Sequence, residues 1–496
     1  MVTSTTAADL YNASTLVDDN LAAGRGSKVA VSCGDEALAY DELYRRICGA
    51  GVALRELGVE ATDRVLLVMD DCVDFPAVFL GAIRIGAVPV PVNPLYAADE
   101  YEYFVSDSGA YLVVVDAACA EKVAASAMIR VEELRTRAGD ISPASTRAED
   151  MAFWLYSSGS TGRPKAVIHR QRDMLVTCET YAKQVLAIRE DDITFSTTKL
   201  FHAYGLGNNL SFPYWAGAST VLQSGRPTPE AVFATVARHR PTMVFSVPTL
   251  YNAMLHAASG EEDWSSVRAC VSAAEPLPAE VWHRWHDRYG LEILDGIGST
   301  EMLHIYCSNR FGAVVPGSSG TPVPGYELKL CDDEGNDLTG EAAGDLYVRG
   351  ESMFAGYWNQ PEKTADCIRD GWFYTRDRYR RDADGTYWYE GRADDMFKVS
   401  GLWVSPTDVE ARLMEHPAVL EAAVVGIPID GLTKAKAVVV CAGAAPNLPD
   451  DQLAAELREF CGERLHRYQV PQVIEFVDSL PKTLTGKILR YKLRNG

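Results

Sequence analysis

Tyr156-Ser157-Ser158-Gly159-Ser160-Thr161-Gly162-Arg163-Pro164-Lys165 is the stretch from which the rest of this chain is read. Its small residues let backbone N–H groups approach anionic oxygens, its hydroxyls add donors, and Lys165 brings a compact positive charge. The preceding apolar run Ala152-Phe153-Trp154-Leu155 favours a strand that ends in a phosphate-binding loop. The loop is not of the Walker A type, because Pro164 stands where that pattern needs its second glycine. On composition alone a flexible surface turn is the competing reading.

Around this loop, apolar runs alternate with helical patterns, which is the signature of α/β architecture. Buried strands are expected at 64–69, 111–115 and 243–247, and a helix at 41–57 with Asp41 as its N-cap. From 320 to 349 short β segments with turn punctuation at Asp332-Asp333-Glu334-Gly335-Asn336 read as a β-rich subdomain. A further boundary falls at Gly391-Arg392-Ala393-Asp394-Asp395, and the residues beyond it carry their own apolar alternation. The expected fold class is therefore α/β, in three parts. These are a large N-terminal domain of α/β layers with a β-rich subdomain (1–390), a short polar hinge (391–396) and a small, mobile C-terminal α+β domain (397–496).

With 496 residues the chain exceeds one compact core, and 47% apolar and 23% charged content is ordinary for a globular protein. Nothing approaches the ~18 consecutive apolar residues of a membrane span. The N-terminal stretch MVTSTTAADLYNAS lacks the basic start and apolar segment of a secretory signal, so no membrane partner and a cytoplasmic location are expected. The formal charge of -21, from 68 acidic against 47 basic side chains, would repel a phosphate backbone, so nucleic acid is excluded as a partner. An anionic nucleotide then binds only where local donors overrule the overall field. The eleven cysteines form no C-x-x-C pair, which argues against structural zinc and disulfides and for small buried hydrophobes.

Several side chains carry two readings each. In Ser299-Thr300-Glu301 the glutamate offers Mg²⁺ a hard oxygen and the threonine a donor to phosphate, or the triplet simply caps a helix. Asp377, between Arg376 and Arg378, accepts from ribose hydroxyls or is a solvated turn aspartate. Lys487, with Lys482, Arg490, Lys492 and Arg494, belongs to a reactive C-terminal loop or to a basic tail. Lys434 and Lys436 read as a solvated surface pair, with coenzyme A phosphates as the alternative.

The ten-residue string resembles the phosphate-binding signature of the adenylate-forming superfamily: acyl-CoA synthetases, peptide-synthetase adenylation domains and luciferases. Further segments resemble that family's motifs in its order. They are Tyr40-Asp41-Glu42-Leu43, the run at 81–94 (GAIRIGAVPVPVNP), Asp295-Gly296-Ile297-Gly298-Ser299-Thr300-Glu301, Tyr374-Thr375-Arg376-Asp377, the run at 391–406 (GRADDMFKVSGLWVSP) and Pro481-Lys482-Thr483-Leu484-Thr485-Gly486-Lys487. The resemblance covers nearly the whole chain.

It implies ATP, Mg²⁺ and coenzyme A as cofactors or co-substrates. It assigns Lys487, Thr300, Glu301 and Lys165 to catalysis, and Glu301 to the metal. The nucleotide falls to Ser157, Ser158, Gly159, Ser160, Thr161, Gly162, Ala274, Glu275, Asp295, Gly296, Ile297, Asp377 and Arg392. It also implies two orientations of the C-terminal domain, turning at Asp394. Within the superfamily, Phe201-His202-Ala203-Tyr204-Gly205-Leu206-Gly207-Asn208-Asn209 and the run at 295–305 (DGIGSTEMLHI) are most similar to benzoate- and hydroxybenzoate-CoA ligases. That places His202, Ala203, Tyr204, Gly298, His304 and Ile305 around an aromatic carboxylic acid, and Lys398 at its carboxylate. A buried structural role is the alternative for His304. The chain departs from the pattern in a short 117–147 segment and at Trp403, near the expected acceptor path. A carrier-protein phosphopantetheine or another small nucleophile therefore stands as the alternative acceptor. A non-catalytic nucleotide-binding relative is disfavoured by the joint presence of Lys487, Glu301, Thr300, Asp377 and Arg392. A homodimer is implied by analogy alone.

Overall fold

The computed structural model describes residues 10–157, 163–392, 395–399, 402–429, 432–442, 449–482 and 488–494, with the Trp403 side chain left out. Among these residues a nine-stranded sheet forms the body of the large domain. Its strands Ile293–Gly298, Ala269–Ser272, Met243–Ser246, Ile193–Ser196, Ser219–Leu222 and Val29–Cys33 run parallel. Antiparallel strands close both edges. A second, parallel sheet orders Val88–Val92, Arg64–Val68, Leu112–Val115 and Met128–Arg130. Near-continuous valine, leucine and isoleucine build these strands because a parallel sheet is covered on both faces. Pro89 and Pro91 have no N–H to give, and their strand accordingly lies at the sheet's edge.

The strands expected at 64–69, 111–115 and 243–247 are present within a residue of those bounds. The first long helix spans Tyr40–Glu56, but Asp41 does not cap it. Ala39 holds the N-cap position in an extended conformation, and Asp41 lies inside the first turn, where its carboxylate meets the positive helix end. The β-rich subdomain extends beyond 349. Its antiparallel sheet also takes in Trp372–Arg381 and Tyr387–Arg392, which pair from Asp377↔Arg392 to Arg381↔Tyr387. Eight of the eleven cysteines are buried and all are free, as expected.

The C-terminal domain pairs Val419–Ile429 with Leu432–Cys441 and adds Val473–Phe476 in parallel. Its core gathers Val409, Leu413, Val424, Val439 and Leu457. Lys436 is not a surface residue: it is buried and paired with Glu475 at 2.7 Å. Asn252 Nδ2 of the large domain donates to the Leu420 carbonyl at 3.0 Å, so the two domains meet there. No helix among the described residues is long and apolar enough to cross a membrane.

Candidate active site

The carboxyl ends of the parallel strands lie along one edge of the sheet, the edge at which α/β sheets bind ligands. Segments 197–204, 273–275 and 299–301 leave their strands at this edge. Strands Met151–Ser157 and Lys165–Arg170 pair antiparallel nearby, with Ser157 opposite Lys165. Ser158, Gly159, Ser160, Thr161 and Gly162 lie outside the described residues, as do Asp394 and Lys487. The arms of the loop are well held. Tyr103 donates to the Pro164 carbonyl at 2.7 Å, Arg163 lies over the Tyr103 ring, and Tyr156 donates to Asp107 at 2.7 Å. Ser157 Oγ is buried and finds no partner among the described residues.

Thr300, Glu301 and Met302 form a single 3₁₀ turn, begun by Ser299, whose hydroxyl accepts from the Met302 amide. Thus the helix-cap reading holds, and the turn still joins the site. Lys165 Nζ sits 4.2 Å above the Tyr357 ring, and the Tyr357 hydroxyl donates to Glu301 Oε1 at 2.7 Å. One tyrosine therefore touches both the loop lysine and the glutamate. Burial holds the Lys165 ammonium below its ordinary value, against the raising pull of Glu301. Among the described residues no cluster of three His, Cys, Asp or Glu side chains forms a metal cage. A single carboxylate such as Glu301 fits a Mg²⁺ that arrives on nucleotide phosphates.

Of the residues expected at the nucleotide, Asp295, Gly296 and Ile297 lie on the strand Ile293–Gly298, with Gly296 and Ile297 opposite Ser308 and Cys307. Asp295 is fully buried, burial pushes its carboxyl well up, and Oδ1 lacks a partner among the described residues. Ala274 takes a left-handed backbone at φ 76, which turns the chain so that Glu275 faces Thr249. Glu275 accepts from Thr249 Oγ1 at 2.6 Å. Burial raises its carboxyl, opposed by Thr249 and by Lys482 of the C-terminal domain. Asp377 and Arg392 face each other across paired strands, with Nη1 3.4 Å from Oδ1.

His304 lies at the centre of a cluster of aromatic rings, its ring 4.5 Å from Phe212, 5.3 Å from Tyr181 and 5.5 Å from Tyr204. Its Nε2 meets Asn208 Oδ1 at 3.1 Å, and burial lowers its pKa to about 3, so the ring is neutral. Nδ1 is buried without a partner among the described residues. Tyr204 donates to the Val271 carbonyl at 3.2 Å, Ala203 and Ile305 are buried beside it, and His202 packs on Phe201 at 4.3 Å. Two glycines make this packing possible. A Cβ on Gly298 would lie 2.5 Å from the His304 carbonyl oxygen, and one on Gly207 would lie 2.3 Å from His304 Cδ2. Lys398 is exposed on the hairpin of Phe397–Val399 and Leu402–Val404, opposite Trp403.

Residues 19–358 match the family model of the AMP-binding enzymes, and 408–487 match that of the AMP-binding enzyme C-terminal domain. The chain belongs to the AMP-binding enzyme family. Among curated members it is 46% identical to the benzoate–CoA ligase of Thauera aromatica, over 98% of this chain and 96% of that one. It is 43% identical to the 4-hydroxybenzoate–CoA/benzoate–CoA ligase of Rhodopseudomonas palustris, over 98% and 94%. Among solved structures of the family it is similar to the anthranilate CoA ligase AuaEII in complex with anthranoyl-AMP. That match has a TM-score of 0.93, 38% identity and coverage of 98% and 96%. It is also similar to a benzoate CoA ligase from Burkholderia xenovorans LB400, with a TM-score of 0.91, 42% identity and coverage of 98% and 100%.

Tyr357, Asn208, Tyr181 and Phe212 are site neighbours that sequence reasoning missed. Only Asn208 lay inside a quoted motif. Tyr357 meets Glu301 across 56 positions, a contact that no local pattern announces.

Proposed function

We propose that this AMP-binding enzyme activates a benzoate-type acid with ATP and transfers the aroyl group to coenzyme A, releasing AMP and pyrophosphate. The observation that carries the reading is the cluster of aromatic rings around His304, two residues beyond the turn that holds Thr300, Glu301 and Met302. Near-full-length similarity to benzoate–CoA ligases supports it. In the first step a carboxylate oxygen attacks the α-phosphorus and pyrophosphate leaves. In the second a thiolate attacks the acyl carbon, and AMP departs with that oxygen.

The protein's part is positioning and charge stabilisation. Lys165 and the 157–162 loop hold the phosphates, Thr300 donates to the α-phosphate, and Asp377 with Arg392 takes the ribose. Ala274, Glu275, Asp295, Gly296 and Ile297 border the adenine. Glu301 would hold the Mg²⁺ that arrives with ATP, which offsets the phosphate charge. Lys487 reaches the carboxylate and α-phosphate in the first step, and Asp394 within the 391–396 hinge lets the 397–496 domain turn for the second. His202, Ala203, Tyr204, Gly298, His304 and Ile305 enclose the ring, and Lys398 comes to the carboxylate only when its domain is placed for it.

Mass spectrometry of reactions with MgATP and a panel of benzoates, with and without coenzyme A, tests this reading. An aroyl-CoA with AMP is the expected product. Acyl-AMP and pyrophosphate without any thioester would transfer the acceptor role to another nucleophile, such as a carrier-protein thiol.

A further inference from the structure

His169 and Asp173 form a fully buried pair directly beneath the catalytic turn. His169 lies on the strand Lys165–Arg170, four residues after the loop lysine, and its ring stacks on Phe153 at 5.2 Å. Its Nδ1 faces Asp173 Oδ2 at 2.9 Å, and its Nε2 faces the Thr300 carbonyl oxygen at 2.8 Å. A carbonyl oxygen only accepts, so Nε2 carries a proton and donates it there. Asp173 Oδ2 also accepts from the Arg170 amide at 3.0 Å, which sets the carboxyl that orients the ring.

The turn is gripped at each of its three carbonyls. His169 takes that of Thr300, the Phe354 amide takes that of Glu301 at 2.7 Å, and Ser352 Oγ takes that of Met302 at 2.8 Å. Ser352 is in turn bonded to the Tyr326 hydroxyl at 2.7 Å, and Arg170 Nη1 donates to the Met353 carbonyl at 2.9 Å. The lysine strand and the segment around 352–354 thus bracket the turn from two sides. Of these grips, that of His169 acts on the residue whose hydroxyl is assigned to the α-phosphate. It is also the one that ties this residue directly to the strand of Lys165.

We propose that His169, oriented by Asp173, is a positioning residue for adenylation: its Nε2–H clamps the Thr300 carbonyl and so sets the distance between the Thr300 hydroxyl and the Lys165 strand. This rests on the reading of Thr300 given above. A pair of buried side chains serves better here than a backbone contact. Strand and turn are 131 positions apart, and a rigid imidazole spans the gap between them without rotamer freedom along its length.

The test is a double-mutant cycle on adenylation, read as acid-dependent ATP–pyrophosphate exchange in the full chain. His169→Asn keeps a polar amide near Nδ1, facing Asp173, and removes the donor at Nε2. It is expected to lower kcat by about 10- to 100-fold while the KM values for MgATP and acid hold. His169→Gln, which returns an N–H near Nε2, is expected to recover most of that loss. In a Thr300→Val background His169→Asn is expected to cost little more, because the group it positions is already gone. If Thr300→Val lowers exchange but His169→Asn costs the same in both backgrounds, the proposal alone is overturned. If Thr300→Val leaves exchange intact, the reading of Thr300 fails and the proposal falls with it. A histidine-labelled spectrum of the unmutated protein needs no variant to fold well. Besides the Nε2–H of His304, which faces Asn208 Oδ1, it should contain a second Nε2–H in slow exchange with water, assigned to His169 by its proximity to the Phe153 ring, and its absence would also overturn the proposal.

Discussion

At the scale of single residues, the site works by placing polar atoms where water cannot compete for them. His304 is the clearest case. Burial lowers its pKa to about 3, below the ordinary 6.5. Between those values the unfolded chain binds a proton that the folded chain refuses, so the folded state loses stability as pH falls through that window. The expected slope is about 1.4 kcal/mol per pH unit, fully present below pH ~6.5 and ending near pH ~3. Urea midpoints at pH 6.5 and 5.5, for the wild type and for His304→Asn, test it. The wild type should lose more than the variant, and equal losses would mean that His304 is not held neutral. Tyr357 supports a second expectation. Tyr357→Phe keeps the ring beneath Lys165 but deletes the hydrogen bond to Glu301. Losing a bond to a charged acceptor should lower kcat/KM for MgATP by about tenfold or more, and steady-state kinetics that match the wild type would contradict this role.

At the scale of elements, the pocket depends on backbones that approach more closely than a side chain permits. The π-helix Gly207–Ser211 passes directly under the His304 ring, with room for hydrogen only at Gly207. Gly207→Ala should cost about 1–3 kcal/mol, shared between stability and acid binding. It is read as a lower urea midpoint together with a raised KM for the aromatic acid. An unchanged KM would separate the ring's position from acid recognition. The parallel strands were legible in the sequence because buried β-branched runs are local signals, whereas the site segments leaving them were read only through their resemblance to the family's motifs. The helix cap at Asp41 was misread, because an acidic residue suits the first turn as well as the cap. The grips on Thr300, Glu301 and Met302 were not legible at all. They join residues tens to more than a hundred positions apart, and neither His169 nor Tyr357 belongs to a periodic pattern.

At the scale of the whole molecule, two domains share one reaction. Asn252 reaches Leu420, and Lys482 pairs with Glu421 and acts on Glu275, so the C-terminal domain meets the large domain on the side of Glu275. Lys482, five positions before Lys487 in the chain, thus faces Glu275, which the proposed function assigns to the nucleotide. Lys487→Ala is expected to abolish acyl-AMP formation with the fold and melting temperature retained. Unchanged activity would remove that lysine from the mechanism. The central claim concerns the oxygen that moves, and labelling follows it directly. With the preferred acid labelled with oxygen-18 in both carboxylate positions, the account predicts AMP that carries one labelled oxygen and a thioester that keeps the other. Unlabelled AMP, with the label in another phosphate product, would contradict activation through an acyl-adenylate.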